Sequence, residues 1–209
     1  MTTPSIDVLY DTPRAPNPRR VRLFLAEKRL SLPTEVVTIM DGSHFRPEYR
    51  DKVGSFHVPA LGLSDGTILT ETVAICRYIE ALHPEPNLMG TDPLEKAVVE
   101  MWGRRVEFQL LLPIAQVLRH GNPAMAVLEN PQCPEWAEVN RPRVVAALDW
   151  LEGILAQTPY IAGQRFTIAD ITALVAVEFM RAIRQALPET HTATHDWLTR
   201  LRAREGYVE

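Results

Sequence analysis

Two short stretches of the chain carry groups that can hold a peptide. Val58 precedes Pro59, and a residue before proline favours an extended backbone, which can pair with an extended ligand. Glu71 and Thr72 open an apolar helical segment further along the chain, and the amides at a helix N-terminus attract carboxylates. An extended peptide can therefore pair with Val58 while its carboxylate lies on Glu71 and Thr72. The spacing predicts a peptide-binding site.

The overall composition argues against several other classes of function. The chain has 209 residues and a formal net charge of −4, which disfavours nucleic acid as a partner. Its two cysteines, Cys76 and Cys133, lack the spacing of metal ligands and cannot form a disulfide framework. We expect no metal, and Cys76 lies in an apolar segment that predicts a buried, inert thiol.

The chain also lacks the signs of a membrane or secretory protein. No apolar run approaches the length needed to cross a bilayer. Residues 1–4 form neither the basic nor the apolar region of a targeting signal. We therefore expect a cytoplasmic protein with no membrane partner.

The first part of the chain alternates between strand and helix patterns. Strand-helix-strand units usually make parallel pairs, whereas a hairpin adds an antiparallel pair. Asp65-Gly66 supplies the tight turn of such a hairpin. The segments predict a small mixed α/β domain. Its predicted elements are a strand over 5–10, a helix capped by Asn17 and starting at Pro18, a strand over 35–39, a short helix after Pro47, hairpin strands over 60–63 and 67–69, and a helix over 71–82.

The remainder of the chain is helical in pattern. Residues 83–93 are rich in proline and predict a linker. Thr167 and Asp170 form a capping box before a helix that is apolar on nearly every side, which predicts a central helix with a role in folding. The predicted helices run over 93–120 with a kink at Pro113, over 136–155 with Pro142 starting, kinking or interrupting it, and over 168–183.

Taken together, these features resemble the cytosolic glutathione S-transferases, and the resemblance covers nearly the whole chain. The matching stretches are Tyr10 through Lys28, Val58-Pro59, Glu71-Thr72, the proline-rich linker and the Thr167–Asp170 capping box. The resemblance implies an α/β plus all-α fold. Residues 1–82 are then a thioredoxin-like domain that binds glutathione, 83–93 a linker, and 94–209 an all-helical bundle domain. It also implies a homodimer.

The resemblance assigns roles to residues around the predicted peptide site. Val58 would lie beside the cysteinyl backbone of glutathione and precede a cis proline, Pro59. Glu71 and Thr72 take the place of the family's Glu-Ser or Gln-Ser pair, which holds the γ-glutamyl end.

Two histidines fall near the other end of the implied ligand. His57 stands where the family often carries Lys or Gln near the glycyl end, and His44 where a Gln or His often serves. The alternative for both is a solvated loop position.

The loop before the first helix departs from the family pattern. Ala15 falls at the position of the activating Ser or Cys, and it can donate no hydrogen bond. The loop is most similar to the Thr-Pro-Asn of the bacterial nu class, with its Thr absent. Asn17 is the best remaining donor and Thr12 the second, while Tyr10 is a candidate whose alternative is core packing. Asn17 also has the alternative of capping the helix.

A single hydrogen-bond donor is sufficient to lower the pKa of a bound thiol by two units. Lowering a thiol pKa from about 8.5 by two units needs roughly 2.7 kcal/mol, and one hydrogen bond to a charged atom supplies about 1.5–3 kcal/mol. The dipole of the first helix adds to this stabilisation.

The implied activity is transfer of glutathione to a small electrophile, with a role in detoxification. The electrophile pocket is expected between the domains, with candidates on the long helix at Met101, Trp102, Arg105 and Phe108. Two alternatives stay open. One is glutathione-dependent disulfide or peroxide reduction, and the other is a non-catalytic glutathione-binding module, which Ala15 favours.

Overall fold

The computed structural model describes residues 3–209, which divide into two units. The first unit runs to Pro86 and also includes Glu205–Glu209, whereas the second is Asn87–Arg204. The sequence pattern predicts instead that residues 205–209 belong to the helical domain. Arg19 donates two hydrogen bonds to the carbonyl of Val208, at 3.0 and 2.9 Å, and these bonds join the chain end to the first unit.

The first unit contains a four-stranded mixed sheet with the order β2-β1-β3-β4. Its strands are β1 (Ile6–Asp11), β2 (Thr34–Val36), β3 (Ala60–Leu63) and β4 (Ile68–Leu69). β1 pairs in parallel with β2 and antiparallel with β3, and β3 pairs antiparallel with β4. Gly66 has a φ of 86° in the turn between β3 and β4, as the predicted tight turn requires. The predicted mixed α/β domain is confirmed.

Three helices accompany this sheet: α1 (Pro16–Glu27), α2 (Pro47–Val53) and α3 (Thr72–Leu82). The predicted start of α1 is wrong. Ala15 occupies the N-cap position with an extended backbone, and no side chain caps the helix. Pro16 already has the fixed φ that suits the first helical position, so the helix begins one residue before Asn17, which lies in the first turn.

The two faces of the sheet are buried by different elements. Leu9 and Leu61 are almost fully buried, as are Phe24 of α1 and Ile75 of α3, and α1 packs against α3. Alternate strand residues point to the opposite face. A second cluster consists of Tyr10, Val37, Tyr49, Val53 and Ala60, so that α2 covers this second face.

The second unit is helical, which confirms the predicted helical domain. Its helices are α4 (Pro93–Val106), α5 (Leu112–Gly121), α6 (Pro134–Leu155), α7 (Ile168–Phe179) and α8 (Thr192–Arg202). A π-helical segment, Glu107–Leu111, joins α4 to α5. Pro113 cannot donate the backbone hydrogen bond that a continuous α-helix needs, and the wider π turn before it absorbs that loss. Pro142 lies inside α6.

The capping box before α7 is present and joins three parts of the unit. Thr167 N–H donates to Asp170 Oδ2 (2.9 Å), while Ile161 N–H (2.9 Å) and Trp197 Nε1 (3.1 Å) donate to Oδ1. Asp170 is fully buried, and this burial raises the pKa of its carboxyl to about 6. Every residue of Ile168–Val177 is buried. The predicted structural role of this central helix is confirmed.

Within residues 3–209, no helix combines the length and apolar character that crossing a membrane requires.

Candidate functional site

The topology of the sheet brings two of the predicted peptide-binding segments to one end of the sheet. In the antiparallel pair of β1 and β3, Tyr10 lies opposite Ala60. β1 ends at Asp11 and β3 begins at Ala60, and antiparallel strands run in opposite directions. The loop after β1, which contains Thr12, therefore lies at the same end of the sheet as the segment before β3, which contains Val58.

The hairpin brings the start of α3 to the same end of the sheet. Leu61 pairs with Leu69 across β3 and β4, β4 ends at Leu69, and α3 begins three residues later at Thr72. Three segments that are remote in sequence thus reach one end of the sheet, and we call their residues Thr12, Val58 and Thr72 a row.

The segment before β3 is held by a hydrogen bond from a tyrosine. The Val58–Pro59 peptide bond is cis. Tyr49 of α2 donates its hydroxyl to the carbonyl of His57 at 2.7 Å. Burial raises the pKa of Tyr49, so this phenol remains a donor across the physiological range. Val58 itself is half-buried and packs on the cluster beneath α2.

Glu71 has a strained backbone at the start of α3. Its φ is 66°, its side chain is exposed, and it makes no side-chain cap to the helix. A non-glycine residue in this region costs of the order of 1–3 kcal/mol, and such strain clusters at ligand clamps. The amides of the first turn of α3, beginning with Thr72, are therefore not capped by the Glu71 side chain, and they are among the backbone donors that a helix N-terminus leaves without an intrahelical partner.

The loop after β1 is held by an ion pair. Arg22 Nη1 lies 2.6 Å from Asp11 Oδ1 and 3.3 Å from the carbonyl of Thr12. The same Asp11 oxygen accepts the N–H of Thr12 at 2.8 Å. Thr12 is buried, and these bonds hold its backbone at the end of β1. Sequence reasoning missed this clamp, because Arg22 and Asp11 belong to different elements and no local pattern joins them.

Hydrogen-bond donors are scarce at the start of α1. Pro16 and Pro18 have no backbone N–H, so Asn17 supplies the only backbone donor among the first three helical positions in the described chain. The Asn17 side chain is exposed, and its Oδ1 accepts a bond from Arg20 Nη1 at 3.3 Å. That bond turns the Asn17 amide nitrogen, a donor, away from Arg20.

The two predicted histidines lie in one aromatic stack before β3. The ring centroids of His44 and Phe45 are 3.9 Å apart, those of Phe45 and Phe56 5.5 Å, and those of Phe56 and His57 4.4 Å. His44 is buried, and this burial lowers its pKa. In the described part of the chain its Nδ1 has no hydrogen-bond partner. His57 is exposed, and its Nδ1 lies 3.0 Å from Ser55 Oγ.

Tyr10 does not join this group of residues. Its side chain is 1% exposed, its ring packs edge-to-face on Tyr49 at 5.7 Å, and the Lys52 ammonium lies 4.9 Å from its centroid. This burial favours core packing, which is the alternative that accompanies the predicted catalytic role of Tyr10.

The predicted electrophile residues all lie in the second unit. Met101, Trp102 and Arg105 belong to α4, and Phe108 to the π-helical segment. The Arg105 guanidinium lies 4.9 Å from the Trp102 ring, which in turn packs on Trp150 at 5.9 Å. Phe108 is 58% exposed.

The two cysteines differ in their exposure, since Cys76 is buried and Cys133 is exposed. Cys76 is fully buried, and burial raises the pKa of its thiol to about 12, which agrees with the predicted inert thiol. Among residues 3–209, no cluster of three or more His, Cys, Asp and Glu side chains is placed to hold a metal ion.

Comparison with known proteins identifies the family. The family models of the glutathione S-transferase N-terminal and C-terminal domains match residues 9–87 and 134–203. The chain is 36% identical to glutathione S-transferase 2 of Saccharomyces cerevisiae over 94% of its own length and 86% of that protein. The chain therefore belongs to the glutathione S-transferase family.

Solved structures agree with this assignment. The crystal structure of Gtt2 from Saccharomyces cerevisiae matches with a TM-score of 0.90 at 36% identity, over 95% of this chain and 97% of that one. A glutathione S-transferase domain-containing protein from Marinobacter aquaeolei matches with a TM-score of 0.92 at 32% identity, over 96% and 100%. The predicted thioredoxin-like fold and glutathione transferase activity are thereby confirmed.

Proposed function

We propose that glutathione lies along the row formed by Thr12, Val58 and Thr72, with its cysteinyl backbone paired to Val58. The carrying observation is that β1 ends, β3 begins and β4 ends at one end of the sheet. Val58 lies before the first residue of β3, and an extended tripeptide pairs with such a segment through main-chain hydrogen bonds. Pro59 lacks an N–H, so it cannot donate to the peptide and leaves this pairing to Val58.

The γ-glutamyl end is assigned to the start of α3. The first-turn amide and the hydroxyl of Thr72 donate to its carboxylate, with help from the helix dipole. The exposed Glu71 carboxylate pairs with its ammonium group. The strained φ of 66° at Glu71 supports this assignment, because the strain has no role in capping α3.

The glycyl carboxylate is assigned to His44 and His57, the two histidines of the aromatic stack. The buried and unsatisfied Nδ1 of His44 supports a ligand at this point, since buried polar groups normally have partners. His57 adds a second ring with an N–H donor.

The thiol is assigned to the start of α1, where Asn17 is the principal donor and Thr12 the second. Either donates a hydrogen bond that favours the thiolate over the thiol. The positive end of α1 acts in the same direction. The thiolate then attacks the electrophilic carbon, a carbon–sulfur bond forms, and the leaving group departs with the bonding electrons.

The electrophile is assigned to side chains of the second unit at Met101, Trp102, Arg105 and Phe108. Apolar and aromatic walls with one cation suit a small apolar electrophile that releases an anion. We further propose that the protein acts in detoxification as a cytoplasmic homodimer, with glutathione as its co-substrate and without a metal.

Calorimetry with reduced glutathione tests the proposed binding mode. Glu71→Ala should weaken binding by about tenfold or more, since a charge-assisted pair is worth about 1.5–3 kcal/mol. The matched control is Glu85→Ala at an exposed glutamate in the same unit, and this variant should bind as the parent does. Absence of any measurable affinity in the parent protein, or equal affinity in both variants, contradicts the proposal.

A further inference from the structure

A buried arginine lies in the first turns of α1, near the proposed thiol position. Arg20 is 1% exposed, although arginine is almost never fully buried unless it is paired. α1 packs against α3. Burial raises the pKa of the Cys76 thiol in α3, and the Arg20 charge acts against that rise, which places the guanidinium near α3. The Arg20 side chain is therefore held by the packing of two helices.

One contact of this guanidinium is Asn17, the principal donor proposed for the thiol. Arg20 Nη1 donates to Asn17 Oδ1 at 3.3 Å. Residues three apart in a helix are neighbours on its surface, so α1 itself brings the two side chains together. Arg20 is buried, whereas the Asn17 side chain is exposed. The arginine is therefore the fixed partner of this bond, and the asparagine amide adjusts to it.

The chemistry of the two groups decides which way the amide faces. A guanidinium carries N–H donors and no acceptor, so it attracts the amide oxygen and repels the amide NH2 group. Turning the Asn17 amide by half a rotation would replace this bond with a contact between two donors. With the oxygen on Arg20, the two N–H groups of the amide point away from it. They are then directed to a ligand at the start of α1.

We propose that Arg20 is a positioning residue, which turns the Asn17 amide so that its nitrogen donates to the sulfur of bound glutathione. This role rests on the proposed function, in which Asn17 is the principal thiol donor. The terminal torsion of asparagine is broad and roughly two-fold, so without Arg20 the amide oxygen would also face the sulfur and repel a thiolate. The cation on the amide oxygen further polarises the amide, which strengthens its N–H groups as donors.

The pKa of the bound glutathione thiol measures this role. Arg20→Met removes the guanidinium and keeps a long side chain, and it should raise that pKa by about one unit, since a misplaced amide loses its hydrogen bond to a charged sulfur. Thiolate absorbance followed against pH with saturating glutathione gives the value. Arg20→Gln is the second variant, because its polar side chain suits the site but is too short to reach Asn17. It should give the same shift.

A double-variant cycle separates action through Asn17 from a direct effect of the Arg20 charge. In the Asn17→Ala background there is no amide to misplace, so Arg20→Met should raise the thiol pKa further by less than about 0.3 unit. The matched control is Arg19→Gln, which removes the same charge from the next residue of α1. The Arg19 guanidinium contacts the carbonyl of Val208 at 3.0 and 2.9 Å, and its loss should leave the thiol pKa unchanged within the same limit.

Two results overturn the role of Arg20 alone when Asn17→Ala raises the thiol pKa. The first is an unchanged thiol pKa in Arg20→Met and Arg20→Gln. The second is a shift of equal size in the parent and Asn17→Ala backgrounds, or in Arg19→Gln, which reports a direct effect of charge. An unchanged thiol pKa in Asn17→Ala overturns the proposed thiol donor together with the role of Arg20, and absence of glutathione affinity in the parent protein overturns the proposed function as well.

Discussion

Arg22 and Asp11 form an ion pair of 2.6 Å that ties the start of α1 to the end of β1. The same pair holds Thr12 at its N–H and its carbonyl. Two elements that flank the proposed thiol position are therefore joined by one partly buried contact. Arg22 is then a positioning residue, since it acts on Thr12 and the loop rather than on the substrate.

Arg22→Gln should lower kcat with a smaller effect on the KM for glutathione. The loop loses an interaction worth about 1.5–3 kcal/mol, and misplaced thiol donors reduce the thiolate fraction. Steady-state kinetics with a chromogenic aryl halide measures both constants, and Arg22→Lys should restore part of kcat. The positioning role would be refuted if Arg22→Gln kept the parent's kcat and did not raise the pKa of the bound thiol.

Asn17→Ala should raise the pKa of bound glutathione more than Thr12→Ala does. Loss of a hydrogen bond to a charged sulfur corresponds to about 1–2 pKa units. Thiolate absorbance in the ultraviolet, followed against pH with saturating glutathione, gives this pKa directly. The reverse order would transfer the principal role to Thr12, and no shift of the thiol pKa in either variant would contradict both proposed donors.

Asp170 should make the protein less stable as pH rises through the acidic range. Burial raises its folded pKa to about 6 from an ordinary value of 3.8. Between these values the folded state binds more protons than the unfolded chain, so the free energy of unfolding falls with rising pH, by at most about 1.4 kcal/mol per pH unit. Above pH 6 this contribution is constant.

Urea unfolding at several pH values between 4 and 7 measures the effect. Asp170→Asn should remove this component of the pH dependence, whereas Asp196→Asn, at an exposed position of α8, should retain it. If the free energy of unfolding changed with pH in the same way for the parent and for Asp170→Asn, the assignment of this pH dependence to Asp170 would be refuted.

Lys28→Met should destabilise the first unit by about 3–5 kcal/mol. The Lys28 side chain has no exposed surface and contacts Glu80 at 2.7 Å and the carbonyls of His83 and Pro86 at 2.7 and 2.9 Å. Removing one partner of a buried ion pair leaves the other charge uncompensated.

The double variant Lys28→Met with Glu80→Leu tests that reason. It removes both charges, so it should be more stable than Lys28→Met alone in urea unfolding. A double variant less stable than either single variant would show that packing, rather than the unpaired charge, sets the cost.

Features that depend on neighbouring residues were predictable from the sequence. The Asp65-Gly66 turn and the Thr167–Asp170 capping box are local motifs, and both occur where expected. The predicted start of α1 at Pro18 lies two residues after the observed start at Pro16, because each of these prolines suits a first helical turn.

Features that depend on tertiary contacts were not predictable. The ion pair of Asp11 with Arg22 requires β1 and α1 to be placed first. The burial of Tyr10 follows from α2 closing over the sheet, which the strand pattern alone does not specify. The π segment before Pro113 arises where a long helix must continue past a residue without an N–H.

The glutathione row is tested most directly by backbone amide resonances in heteronuclear NMR. On addition of reduced glutathione, the amides of Val58 and Thr72 should shift together and saturate together, while that of Gly66, at the far end of the same hairpin, should not move. Saturating shifts that leave Val58 and Thr72 unchanged would contradict the proposed binding mode.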